Sequence, residues 1–148
     1  MAKLRGSRRR GVGGTLVLDA EGLVKLASGH PVAVSLAQDT YQARAEIVTS
    51  APTLTEVLRG GRRDAPVHRI LSRVTIVPIG EEQGRTAGEL LGRTGLSGHR
   101  CALDALLAVV ALAQPRPIVM LTSDIEDMRR LTEEPGRPQT ERIEVARI

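Results

Sequence analysis

Four carboxylates are the residues of this chain best placed to do chemistry: Asp19, Glu56, Asp104 and Asp124. Asp104 is the only charge in residues 102–113, a run otherwise wholly apolar that reads as a helix buried between layers. Asp124 comes soon after the short apolar run 118–121, and Asp19 directly follows 15–18; both runs read as buried strands. A carboxylate removed from water is costly unless it is paired, hydrogen-bonded or bound to a metal. Four of them brought to one point repel each other, and a divalent cation is the natural resolution. Oxygen-only ligation selects a hard ion, Mg²⁺ or Mn²⁺. His30, His68 and His99 are scattered with no HxxxH pair, and a single cysteine, Cys101, leaves no CxxC, so zinc is disfavoured.

Each acid also has a plain structural explanation. Asp19 and Asp124 stand where a helix N-cap would be. Glu56 follows Thr53 at capping-box spacing. Asp104 lies near the start of its helix, where the dipole favours negative charge. The chemical reading therefore rests on whether the fold brings the four together.

The elements that must do so alternate. Strands are predicted at 15–18, 46–49, 74–77 and 118–121, with a possible edge strand in 142–148. Helices are predicted at 20–27, 31–41, from 52 to the stop at Gly60 and Gly61, and then at 66–72, 81–91, 102–113 and 125–132. Alternation of this kind implies an α/β sandwich with a mostly parallel sheet. In such sheets ligands bind outside the carboxyl ends of the strands, where Asp19 and Asp124 stand. The GVGG at 11–14 precedes a strand instead of following one, so it fails the context of a nucleotide-binding turn.

Composition narrows the class. The 148 residues suit one domain with its own core, and no repeat or second domain is visible. There is no Phe or Trp, and Tyr41 is the only aromatic, so the core must be packed from aliphatic layers. A net charge of +4 permits nucleic-acid binding without demanding it. Residues 1–13 read as a solvated basic tail and 14–148 as the folded domain. The tail lacks the apolar core of a signal peptide, and no run approaches a membrane span, so a cytoplasmic protein is expected.

Four segments in order carry a family resemblance: LVLDAEGLVKL with Asp19, APTLTEVLRGG with Glu56, CALDALLAVVA with Asp104, and VMLTSDIEDM with Asp124 and Asp127. Together they resemble a PIN-domain ribonuclease of the kind found as the VapC toxin of toxin–antitoxin pairs. The resemblance implies a PIN-like three-layer α/β/α sandwich. It implies an endoribonuclease in which Asp19, Glu56, Asp104 and Asp124, with Asp127 in addition, bind Mg²⁺ or Mn²⁺ and cleave an RNA phosphodiester. Ser123 matches a small hydroxyl beside the last acid. His99 and Arg100, just ahead of Asp104, are candidates for RNA phosphate contacts. The resemblance further implies an antitoxin partner and a homodimer. Without stacking aromatics, RNA selectivity would have to come from shape and phosphate contacts. Two rivals remain. One is a PIN fold that binds without cleaving. The other is a receiver-like phospho-acceptor domain, which would want adjacent acids after the first strand and a lysine after a late one; here those places hold Asp19-Ala20-Glu21 and Thr122-Ser123.

Overall fold

The computed structural model describes residues 13–148; the predicted basic tail lies, but for Gly13, outside them. Five short runs rich in β-branched and aliphatic residues form strands β1 (Thr15–Leu18), β2 (Glu46–Ser50), β3 (Thr75–Val77), β4 (Ile118–Thr122) and β5 (Glu144–Arg147). They make one sheet in the order β3-β2-β1-β4-β5, and every pairing is parallel. The predicted edge strand is therefore real and runs with its neighbour. Seven helices connect the strands: α1 (Ala20–Ala27), α2 (Pro31–Gln42), α3 (Leu54–Val57), α4 (Ala65–Leu71), α5 (Glu81–Thr94), α6 (Gly98–Leu112) and α7 (Ile125–Leu131).

The strand period of two sorts the apolar side chains into two cores. Leu16 and Leu18 of β1, with Leu121 of β4, face one side and pack against Leu23 and Leu26 of α1, Ala33 and Ala37 of α2, and Val67 and Leu71 of α4. Val17, Ile118 and Met120 face the other side. They meet Leu90 of α5, Ala105, Leu107 and Ala108 of α6, and Met128 and Leu131 of α7. The result is the expected three-layer α/β/α sandwich.

Two predictions about α6 need correction. Its apolar sequence predicted burial on all sides, yet Leu103, Leu106 and Val109 remain partly exposed, since α5 and the sheet cover only part of its circumference. The helix also begins earlier than predicted, at Gly98, beneath an N-cap in which the Ser97 hydroxyl accepts from Arg100 N–H at 3.4 Å. The helix before it runs past the predicted end at residue 91 to Thr94, and Gly95 in the left-handed region (φ 67°) terminates it. Of the residues left between the predicted helices 81–91 and 102–113, only 95–97 lie outside α5 and α6.

The strand order sets the site. The chain steps outward from β1 to β2 and β3, then crosses back to lay β4 on the other side of β1. The crevice of such a sheet opens where that direction reverses, beyond the carboxyl ends of β1 and β4.

Candidate active site

Each acid reaches that crevice from a different element. Asp19 directly follows β1, Asp124 comes after β4, Glu56 lies on α3 just past β2, and Asp104 projects from α6 on the opposite face of the sheet. The convergence shows in their electrostatics. The Asp104 carboxyl is pushed up to about 6, first by burial and then by the charges of Asp124, Glu56, Asp19 and Asp127. Burial raises the Asp19 carboxyl as well, against the lowering effect of hydrogen bonds from the Thr122 hydroxyl and the Gly22 and Ser123 N–H groups. Glu56 is raised by partial loss of hydration and by the charge of Asp19.

The plain explanations fare differently from acid to acid. Asp19 does cap α1: its Oδ1 accepts from Gly22 N–H at 2.7 Å, and the residue is 8% exposed. Asp124 occupies an N-cap position but its side chain makes no capping bond. It is also exposed, which corrects the expectation of a buried carboxylate. Thr53 makes no capping bond either; its hydroxyl pairs with that of Ser50 at 2.8 Å, so the capping box with Glu56 does not form. Asp104 stands in the second turn of a helix that starts at Gly98, beyond the first turn where the dipole acts. Capping and the dipole thus account for Asp19 alone.

The remaining predicted residues are placed as follows. Asp127, in the first turn of α7, accepts from Arg100 Nη2 at 3.5 Å and from the buried Cys101 thiol at 3.8 Å. Arg100 stays 78% exposed despite that contact. His99 beside it is exposed, as is Ser123. Among the described residues, no three His, Cys, Asp or Glu side chains stand close enough to hold a metal ion between them. The donor chemistry nonetheless fits one: all the candidates are carboxylates, and three of them hold protons more tightly than usual, Asp19 chiefly through burial, Glu56 and Asp104 through burial and the charges of the other candidates. A hard cation would relieve both effects.

The PIN domain family model matches residues 16–133. The chain belongs to the PIN-domain family. Two solved structures share its fold. One is VapBC2 from Rickettsia felis bound to a DNA fragment from its promoter: TM-score 0.64, 20% identity, covering 90% of this chain and 98% of that one. The other is a toxin–antitoxin complex from Klebsiella pneumoniae: TM-score 0.56, 21% identity, covering 76% and 88%. No curated protein matches the sequence.

Two residues of this PIN domain escaped the sequence reading. Thr122 is fully buried; its hydroxyl bonds the Asp19 carboxyl and accepts from Asp124 N–H at 3.0 Å, joining the ends of β1 and β4. A threonine ending a strand gives no sign of that role in the sequence. Gly22 is the second. A Cβ there would lie 3.1 Å from the Leu121 carbonyl oxygen and 3.4 Å from Asp19 Oδ1, so glycine lets α1 seat against β4 and cap on Asp19 without crowding.

Proposed function

We propose that this PIN domain is a metal-dependent endoribonuclease and the toxin of a type II toxin–antitoxin pair. The observation that carries the reading is the raised Asp104 carboxyl, pushed to about 6 where four other carboxylates act on it. A fold stabilised only by packing has no use for that cluster, whereas a cation site requires it.

Asp19 and Asp104 would be the principal ligands, with Glu56 and Asp124 as a further ligand or the group that orients water, and Asp127 in support. When bound, Mg²⁺ or Mn²⁺ supplies an acidified water and offsets charge on the phosphodiester. Asp19 is kept in place by Gly22 N–H and Thr122. Asp104, on the far side of the sheet from Asp19's helix, closes the donor set from the second layer. Arg100 and His99 would meet the substrate phosphates, and Ser123 would bond a ligand at the mouth.

The toxin assignment draws on the fold shared with two toxin–antitoxin complexes. An antitoxin segment bearing Arg or Lys would neutralise the same carboxylates, and a C2 homodimer is the expected assembly. One observation favours the rival, a PIN fold that binds without cleaving: the described side chains do not gather three donors at ligating range. RNA cleavage by the purified protein separates the two. It should need Mg²⁺ or Mn²⁺, stop in excess EDTA, and disappear in Asp104→Asn. Cleavage that persists in EDTA or in that variant overturns the catalytic assignment. Expression should arrest growth, and the product of the adjacent gene should relieve it. Harmless expression would leave a nuclease outside any toxin–antitoxin pair.

A further inference from the structure

An acidic crevice repels the polyanion it is proposed to cleave, so cations must flank it. The described residues have no general excess to supply them: residues 13–148 hold sixteen Lys and Arg against seventeen Asp and Glu. One stretch departs from that balance. Residues 59–73 hold five arginines and a single carboxylate, Asp64. Asp64 neutralises little of that charge for a ligand, because it is buried and its Oδ2 accepts from Arg59 N–H at 2.9 Å and Gly60 N–H at 2.7 Å. Those two bonds fix the turn between α3 and α4. Arg59 itself is engaged: its guanidinium folds back on the carbonyls of Thr55 and Leu58, both at 2.8 Å.

The other four arginines divide between the ends of α4. The helix packs on α1 and leads into the start of β3, so Arg69 and Arg73 lie toward the amino ends of the strands. Arg62 and Arg63 precede α4 at the opposite end, toward the carboxyl ends of the strands where the crevice opens, six and seven residues after Glu56. Both are exposed, and neither forms an ion pair among the described residues. Across the crevice, on the other face of the sheet, Arg100 stands in the first turn of α6.

We propose that Arg62 and Arg63 form a phosphate-binding subsite for the substrate, the counterpart of Arg100, so that an RNA strand crosses the crevice with its backbone held on both rims. This rests on the ribonuclease reading. An unpaired, exposed guanidinium presents a fork of donors that matches a phosphate. The anchored turn holds two of them on the crevice's α3–α4 side, where the carboxylates would otherwise turn the strand away.

The test measures binding of an unstructured, fluorescently labelled RNA to the full chain in EDTA, by anisotropy over a salt series. Removing one arginine–phosphate pairing should lower the slope of log K against log salt by about 0.7 for a single strand. Arg62→Ala/Arg63→Ala should therefore lower it by roughly 1.4. Arg69→Ala/Arg73→Ala removes the same charge at the far end of α4 and should lower the slope by less than half as much. The N-terminal residues are common to all three proteins and drop out of the comparison. Equal falls in both variants would mean bulk charge and overturn the subsite. An unchanged slope in Arg62→Ala/Arg63→Ala would overturn it too, while metal-dependent cleavage would leave the nuclease reading standing. A parent protein that binds no RNA in EDTA overturns the subsite, and one that also fails to cleave RNA with Mn²⁺ overturns the nuclease reading.

Discussion

Asp104→Asn should stabilise the metal-free protein at neutral pH. In the folded chain the Asp104 carboxyl titrates near 6, against 3.8 for an ordinary aspartate. Between those values the folded state holds a proton that the unfolded chain has released. The stability linked to this group is thus fully present below about 3.8 and is lost as pH rises through about 6. At 1.36 kcal/mol for each tenfold change, the full shift corresponds to about 3 kcal/mol. Asp104 is only half-buried, and solvent screening should reduce this to ~1.5 kcal/mol. For a domain of this size that is a rise of roughly 3–6 °C in Tm. The assay is a melt of both proteins in EDTA at pH 7.5 and again near pH 4, at matched ionic strength. The variant should melt higher at pH 7.5, and the gap should close at the lower pH, where Asp104 carries its proton. An aspartate serving the helix would give the opposite sign, with the variant less stable at neutral pH. That outcome, or a gap that does not change with pH, would refute the argument from crowded carboxylates.

Mn²⁺ should raise the wild-type Tm at pH 7.5 by more than Na⁺ at equal ionic strength, and less at pH 5, because the metal must displace the Asp104 proton; no response at either pH would remove the cation site. Gly22→Ala should destabilise by about 1–3 kcal/mol through crowding against the Leu121 carbonyl, although helix propensity alone favours alanine by about 1 kcal/mol. A higher Tm in that variant would mean α1 has room to shift. Thr122→Val should cost about 1–3 kcal/mol, since it leaves Asp124 N–H without its acceptor and removes one of the donors to Asp19. Equal denaturant midpoints for Thr122→Val and the parent would show that the hydroxyl bridge contributes nothing.

The strands and most helices were legible because the apolar period is clean. The runs at 15–18 and 118–121 carry Leu, Val, Ile and Met almost without polar interruption, and their alternation matches the two cores residue by residue. What stayed hidden was of two kinds. Glycine is ambiguous as punctuation: Gly95 ends a helix, Gly98 begins one, and Gly92 sits inside one. The sequence does not distinguish these cases, because the answer depends on backbone angles that packing selects. Side-chain partnerships across the sheet were equally invisible. Thr122 and Asp19 are 103 positions apart, and nothing local says that the end of β4 lies beside the end of β1. Asp124 was hidden in the same way: the apolar run before it points to burial, but the strand ends at Thr122 and the chain emerges into solvent before α7 begins.

The four acids make a stronger case together because their ordinary explanations fail for different reasons. Asp124 is at an N-cap and does not cap; Glu56 is at capping-box spacing and its partner hydroxyl bonds elsewhere; Asp104 is past the reach of the helix dipole. Sequences that fold well tend to satisfy every local rule, and places where a local rule is broken without structural return are where function is expected. Leucine or alanine at 104 would suit α6 better, and neither would set a charge against Asp19, Glu56, Asp124 and Asp127. Asp19 fits the same argument although its cap is real. One carboxylate oxygen accepts from Gly22 N–H, yet burial still raises the group despite three hydrogen bonds, so the cap does not offset the desolvation of holding the charge there. The sheet's reversal between β1 and β4 makes the crevice, the elements around it deliver the charges, and the fold keeps them at a cost that binding a divalent cation would remove.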